Sequence, residues 1–177
     1  MAVDREIAAR GALAGSAAAA VWAAQSPLDC RVFRVPYLDH ELLGRLVTRG
    51  PGWLPAGLAL HVANGALFGA VYAHVAPRLP GPAWARGALA GLAEHLATWP
   101  LTPLVDRHHP ARDDLPRLAA DPRAFAQATW RHLLFGVVLG ELERRLRPAP
   151  PEPPLYEPTM SSNGHGDLEL AVGASER

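Results

Sequence analysis

The sequence has one cysteine, Cys30, and no lysine, and its charged residues balance to a formal net charge of zero. A single cysteine excludes an intramolecular disulfide and any CxxC metal or redox motif. A balanced chain lacks the strongly basic surface by which proteins bind nucleic acid, so we expect no nucleic-acid partner. All 17 basic residues are arginine, and we attach no function to that bias.

Common catalytic motifs are missing as well. The chain contains no GxSxG, HExxH, Walker or GxGxxG pattern, and these patterns carry the nucleophiles, bases and phosphate loops of large enzyme families. Glu94 and His95 are adjacent and would suit a membrane-embedded hydrolase, but no residue supplies the nucleophile. We therefore expect a protein that is not an enzyme and that holds no cofactor.

Nearly all the charge falls in four places, which are the N-terminus, residues 29–49, residues 106–123 and the segment after Glu141. Between them lie four apolar segments, at residues 8–28, 53–76, 83–105 and 125–142. Each approaches the roughly 20 residues that a helix needs to cross a bilayer. The sequence predicts an all-α fold in which residues 1–147 form a bundle of four transmembrane helices.

Two other interpretations of these segments stay open. Alanine and glycine contribute little insertion energy, so the segments also suit a soluble, Ala-rich helical bundle. Residues 1–26, in which Arg5 and Arg10 precede an Ala-rich run, resemble a secretory signal. The same pattern recurs in the middle of the chain, where it is no signal.

Spacing of glycines favours the membrane interpretation, because every apolar segment carries one GxxxG motif. In a membrane, two small residues four apart let helix backbones approach closely, whereas in a soluble helix each glycine costs about 1 kcal/mol relative to alanine. We predict helix packing at the following residues: Gly11, Gly15, Gly65, Gly69, Gly87, Gly91, Gly136 and Gly140.

The chain also contains an internal repeat. RGALAG at residues 10–15 recurs at residues 86–91, and both copies continue to a tryptophan and a Pro-Leu pair. Because proline disfavours helix continuation, Pro27 and Pro103 are predicted to end their helices. The bundle is therefore expected to be a duplicated two-helix unit with an approximate two-fold axis along the membrane normal.

Two segments outside the apolar runs have predictable character. Within the first long loop, leucines at helical spacing predict a short amphipathic helix, lying either on the membrane interface or as a solvated cap. Residues 148–177 are Pro-rich and lack apolar periodicity, so we expect a disordered tail. The pair His108 and His109 is expected to be solvated.

Polar residues inside apolar segments are costly in a membrane and are candidate site residues by default. They are His61, Asn64, Glu94, His95, Arg131 and His132. Counting from the helix ends places His61, Glu94, His95 and His132 near one level. One interpretation is structural, with Glu94 paired to Arg131 or to a histidine. A second is a proton or ion site, and a third is a metal or haem site with His61 and His132 as ligands.

Helices three and four resemble the YagU-type family of small bacterial inner-membrane proteins. The resemblance rests on WARGALAGLAEHLATWPLTP at Trp84–Pro103 and HLLFGVVLGELERRLR at His132–Arg147, with His61 and then Pro77–Pro82 as further points. It covers about half the chain through generic small-residue patterns. It implies a membrane protein with an association with acid resistance, and it supplies no catalytic residues.

Together these observations predict a non-enzymatic, multi-pass protein of the cytoplasmic membrane that contributes to acid or envelope stress tolerance. A small transporter or channel subunit is the first alternative, and a haem- or metal-binding membrane subunit is the second. The expected partners are the lipid bilayer and further copies of the chain. Arginine is spread almost evenly between the two predicted faces, and we place both termini in the cytoplasm.

Overall fold

The computed structural model describes residues 4–148, and within this range the chain is helical and contains no β-strand. The all-α prediction is confirmed. The predicted disordered tail lies outside the described residues, apart from Pro148. The helices are α1 (Arg5–Phe33), α2 (Asp39–Val47), α3 (Trp53–Val75), α4 (Ala83–Thr98), α5 (Thr102–His108) and α6 (Pro122–Leu146), with 3-10 turns at Ala76–Arg78 and Trp99–Leu101.

Aspartate side chains cap the first and last of these helices. One Asp4 carboxyl oxygen accepts the Glu6 amide at 2.9 Å, and one Asp121 oxygen accepts the Arg123 amide at 2.8 Å. Each carboxylate satisfies amides that have no partner within their helix. At its other end α1 stops at Arg34, which adopts the left-handed conformation with φ of 59°.

Two predicted helix ends differ from the structure. Pro27 does not end α1, which continues to Phe33 with the proline inside it; the neighbouring Ser26 hydroxyl donates to the Trp22 carbonyl at 2.9 Å. The helix predicted over residues 83–105 is divided, because α4 ends at Thr98 and a 3-10 turn leads into α5; Pro103 lies in the first turn of α5 and does not end a helix. Together these pieces form a helical run over residues 83–108.

Glycines bring the helices together in two pairs. In the first pair, a Cβ atom on Gly15 would overlap the Gly65 carbonyl oxygen, so α1 and α3 are in backbone contact. In the second, a Cβ atom on Gly87 would overlap the Gly136 carbonyl oxygen, so α4 and α6 are equally close. All eight glycines of the four GxxxG motifs lie in these two contacts.

The short helix predicted in the first long loop is α2, and it packs on α3 through glycines that were not predicted to pack. A Cβ atom on Gly44 would overlap the Trp53 carbonyl oxygen, and one on Gly57 would overlap the His40 carbonyl oxygen. The second long loop covers α2, because the buried His109 ring lies 3.0 Å from the Leu42 carbonyl oxygen through Nε2. The prediction of a solvated histidine pair is thus wrong for His109.

The two helix pairs meet through α1 and α6, whereas α3 and α4 make little contact with each other. Half of the shared core consists of alanines, and the other half of three aromatic side chains and one leucine; its members are Ala14, Ala18, Ala19, Trp22, Tyr72, Ala76, Phe135 and Leu139. Leucine, valine and tryptophan side chains lie instead on the outer surface of every long helix; examples are Leu13, Leu67, Leu89 and Trp130.

Two of the helical runs in the described part of the chain are long and apolar enough to cross a membrane. They are α1 and the run from Trp53 to Arg78, which joins α3 to its 3-10 turn. By itself α4 has 16 residues, fewer than the roughly 20 that a bilayer requires, and it reaches that length only with the turn and α5. Helix α6 is long enough, at 25 residues, but it buries charged side chains.

Candidate functional site

The polar residues of the core form two adjoining groups near the end of the bundle that carries the long loops. The first, here called the arginine network, consists of Arg131, Asp29, Asp39, Tyr37 and Gln127. The second, the histidine cavity, is a space among α1, α3, α4 and α6.

Arg131 is completely buried and joins three parts of the chain. Its guanidinium donates from Nε to one Asp29 oxygen at 2.7 Å and from a terminal nitrogen to the other at 2.5 Å. It also donates to the Asp39 carboxylate and to the Tyr37 carbonyl oxygen, both at 2.8 Å. Its two-point contact with Asp29 is the geometry in which arginine binds carboxylates most strongly.

Neutral side chains complete the coordination of the two carboxylates. The Gln127 amide donates to Asp29 at 2.8 Å and the Gln25 amide does so at 2.6 Å. The Trp22 indole donates to Asp39 at 3.0 Å. Because Asp29 lies on α1, Asp39 on α2 and Arg131 on α6, the arginine network fastens these three helices to one another.

The environment of Asp39 changes its acidity. Burial raises the pKa of the Asp39 carboxyl, but the Arg131 guanidinium and the Tyr37 hydroxyl outweigh burial and hold that pKa below its ordinary value. Burial and the nearby Asp39 carboxylate raise the pKa of Tyr37 well above its usual range. Tyr37 is therefore a hydrogen-bond donor to an ionised Asp39.

Glu94 does not pair with Arg131, which was one of the two pairings predicted for it. Its carboxylate lies 2.7 Å from His132 Nε2, and His132 Nδ1 lies 2.7 Å from the Ala128 carbonyl oxygen. Both ring nitrogens thus face oxygens that accept hydrogen bonds. A proton must reside between Glu94 and His132 for both contacts to be hydrogen bonds.

His95 lies behind this pair and does not line the cavity. Its ring centroid is 4.8 Å from that of His132, and its Nε2 is 2.9 Å from the Thr129 hydroxyl oxygen. That hydroxyl donates to the Phe125 carbonyl, so it accepts from His95. The His95 ring is buried and its Nε2 has a partner within the protein.

The histidine cavity has a volume of about 40 Å³. Polar and aromatic side chains both line it. The lining residues are Ala19, Trp22, His61, Asn64, Gly65, Phe68, Glu94, His132 and Phe135. The cavity lies where α3 and α4 separate. Glu94 and Asn64 are the lining residues with substantial exposure on that side.

His61 is the one cavity residue with an unsatisfied buried atom within the described part of the chain. Only 7% of His61 is exposed, and its Nε2 has no hydrogen-bond partner there. A buried polar atom without a partner is costly. The Trp22 ring contacts His61 and His132 edge-on, at centroid distances of 5.2 and 4.7 Å.

Four of the six predicted site residues therefore line one cavity: His61, Asn64, Glu94 and His132. Arg131 belongs to the arginine network instead. Sequence reasoning missed Asp29, Asp39, Tyr37 and Gln127, which had been assigned to loops or left unremarked. One signal in the sequence could have indicated these residues, and it is Arg131. A buried cation requires an anionic partner, and Glu94 is already paired with His132.

The third interpretation of the polar residues was a metal or haem site with His61 and His132 as ligands. Between residues 4 and 148, no group of three or more histidine, cysteine, aspartate or glutamate side chains is arranged to hold a metal ion. Trp22 contacts both rings, and His132 is already engaged at both nitrogens.

No family model, curated protein or solved structure matches the chain.

Proposed function

We propose that the chain is an integral protein of the cytoplasmic membrane with four spans, and that the histidine cavity is its functional site. The spans are α1, α3, the run from α4 through α5, and α6. The observation that carries the proposal is the distribution of side-chain size. Glycines and alanines make the closest contacts between the helices, while many large apolar side chains, chiefly leucine and valine, face outward on all four helices.

That distribution suits lipid and not water. A soluble bundle gains its stability by burying large apolar side chains, and monomeric soluble proteins rarely expose extended apolar surfaces. In a bilayer, helices associate through close packing of small residues and through interhelical hydrogen bonds. The glycine contacts and the arginine network supply both.

The pairing of Glu94 with His132 favours a pH-responsive role. Imidazole titrates near neutral pH, so a change of pH alters the proton that this pair shares. Such a response fits a protein that contributes to acid or envelope stress tolerance without catalysing a reaction. A small transporter or channel subunit is the second candidate, favoured by the position of the cavity in the gap between α3 and α4.

Fractionation tests the membrane placement. We expect a tagged chain to stay in the pellet after alkaline carbonate washing and to dissolve only in detergent. Release by carbonate, or recovery in the soluble fraction, contradicts the proposal and returns the chain to the soluble Ala-rich bundle.

Acid survival tests the proposed role. A deletion strain complemented with the Glu94→Gln variant is expected to survive acid shock less well than one complemented with the unaltered chain. Glu141→Gln is the matched control, since Glu141 is at the end of α6 and pairs with Arg144 and Arg145. Equal survival of all three strains contradicts a role for the Glu94 and His132 pair.

A further inference from the structure

The charges around the histidine cavity favour a cation. Among the described residues near it, carboxylates come from three helices, Asp29 on α1, Asp39 on α2 and Glu94 on α4, while Arg131 is the permanent cation. His132 adds positive charge only when protonated. Loss of that proton raises the excess of negative charge among these groups from one to two, and a bound cation returns it to one.

The lining specifies the kind of cation. Three aromatic side chains line the cavity, Trp22, Phe68 and Phe135, and aromatic rings attract ammonium-type cations. The unpartnered Nε2 of His61 accepts a hydrogen bond when the ring proton is on Nδ1. Hard metal cations prefer several oxygen ligands, and the lining polar side chains besides Glu94 and Asn64 are histidines.

Size limits the ligand. A cavity of about 40 Å³ has room for a few water-sized groups, which suits an ammonium ion or the head of a small primary amine. Two acceptors on the lining suit the N–H groups of such a cation, the Glu94 carboxylate and the unpartnered His61 Nε2.

We propose that the histidine cavity binds ammonium or a small primary amine in exchange for the proton held between Glu94 and His132. On binding, the cation donates hydrogen bonds to the Glu94 carboxylate and to His61 Nε2, and the His132 proton leaves to solvent. The only covalent bond that breaks is the one that holds the released proton, and that proton is taken up by water or buffer. This inference rests on the proposed function in placing the site at membrane depth, where a charge needs a partner.

Other titratable groups face His132 and His61 and set the background for this exchange. His95 packs on His132 from α4, Arg131 precedes it on α6, and His40 on α2 lies 6.5 Å from His61 between ring centroids. Because protons and amine compete for one carboxylate, affinity is expected to rise with pH through the range in which His132 loses its proton.

Calorimetry with the purified full-length chain in detergent tests the exchange, with methylammonium chloride as probe. At a pH at which the Glu94 and His132 pair holds its proton, we expect saturable binding and release of about one proton per cation, read from titrations in two buffers of different ionisation enthalpy. Sodium and potassium chloride are expected to give no comparable signal, and tetramethylammonium, which lacks N–H donors, is expected to bind weakly.

Variants separate the roles of the lining residues. Glu94→Gln and His61→Phe are each expected to weaken methylammonium binding about tenfold or more, as loss of a hydrogen bond to a charged group implies. His132→Gln is expected to keep binding but to release no proton, a result that a purely structural role does not produce. Glu141→Gln is expected to match the unaltered chain.

Three outcomes overturn the proposal: no heat with methylammonium, binding that is indifferent to Glu94 and His61, or binding without proton release. The His132→Gln result stays informative even if Glu94→Gln fails to fold. A chain that resists carbonate yet binds no amine overturns the cation site and leaves the membrane placement standing. A chain that carbonate releases overturns the placement whatever it binds.

Discussion

The pairs α1–α3 and α4–α6 use the same glycine contacts but carry different chemistry. Both pairs bring GxxxG motifs into backbone contact, at Gly15 in one and at Gly87 in the other. Seven residues beyond Gly11 and Gly87, however, the first pair has Ala18 and the second has Glu94. The glycines thus account for a packing that the pairs share, and the polar site arises where the pairs differ.

The pairs also differ in how they meet. Helix α1 packs on α6, but the equivalent contact between α3 and α4 is almost missing. The histidine cavity occupies the space that this leaves. The polar lining and the opening beside it therefore both lie where the two pairs differ.

The largest expected effect comes from breaking the contact that the pairs share. Gly15→Leu and Gly87→Leu each place a side chain against a facing backbone carbonyl, so the helices must separate and each variant is expected to lose the folded protein. Overpacking commonly costs about 1–3 kcal/mol, and a clash with backbone exceeds that range. Gel-filtration profiles of detergent extracts measure it, with Gly50→Ala as control because its added Cβ meets nothing closer than 3.5 Å. If Gly15→Leu folds while Gly87→Leu does not, the two glycine contacts are not equivalent.

Next in size is the arginine network, which has no counterpart in the first pair. Arg131→Leu leaves Asp29 and Asp39 buried without a cation, and removal of one partner from a buried pair costs about 3–5 kcal/mol. Adding Asp29→Asn and Asp39→Asn to that variant is expected to recover a large part of the loss. Thermal unfolding in detergent measures both, and Arg144→Leu, at an exposed pair, is expected to cost little. A triple variant no better than Arg131→Leu would contradict the network.

Acid is expected to weaken the same network by a smaller amount. The pKa of Asp39 is lowered from 3.8 in the folded chain, so its contribution to stability is complete above that value and is lost as pH falls through the lowered pKa. The unfolding midpoint should drop over this range in the unaltered chain. Asp39→Asn should start lower at neutral pH and show a shallower drop. If the unfolding midpoints of the unaltered chain and of Asp39→Asn depend on pH in the same way, Asp39 is not the cause of the loss of stability in acid.

The smallest effect on stability is expected at the cavity itself. The Glu94 side chain is 34% exposed, and partly exposed ion pairs contribute about 0–1 kcal/mol. Glu94→Gln is therefore expected to shift the unfolding midpoint by little while it changes function. A shift as large as that of Arg131→Leu would make Glu94 a structural residue and not a site residue.

Local sequence signals predicted the helices well but not the residues at which the helices end. Apolar length and GxxxG spacing indicated four helical segments and the glycines that now face one another. The continuation of α1 past Pro27 was missed, because a proline penalty is local whereas Asp29, two residues further on, is held by Arg131 from 102 residues away. Contacts at that separation leave no trace in helical periodicity.

The polar site was predictable only for those of its residues that lie within the apolar segments. His61, Glu94 and His132 were found because each interrupts an apolar run at a similar depth. The partners of Arg131 were missed because Asp29 and Asp39 lie at the end of α1 and the start of α2, which composition assigns to a loop. Only the fold brings both carboxylates under one guanidinium.

Labelling of single cysteines from each side of the membrane tests the four-span arrangement most directly. In a Cys30→Ser background, Arg49→Cys and Arg117→Cys probe the two long loops, and Arg78→Cys and Arg145→Cys probe the opposite end of the bundle. With a membrane-impermeant maleimide on intact cells, the first two are expected to label alike and opposite to the last two. Labelling of Arg49→Cys and Arg78→Cys from the same side would contradict a bundle that crosses the membrane.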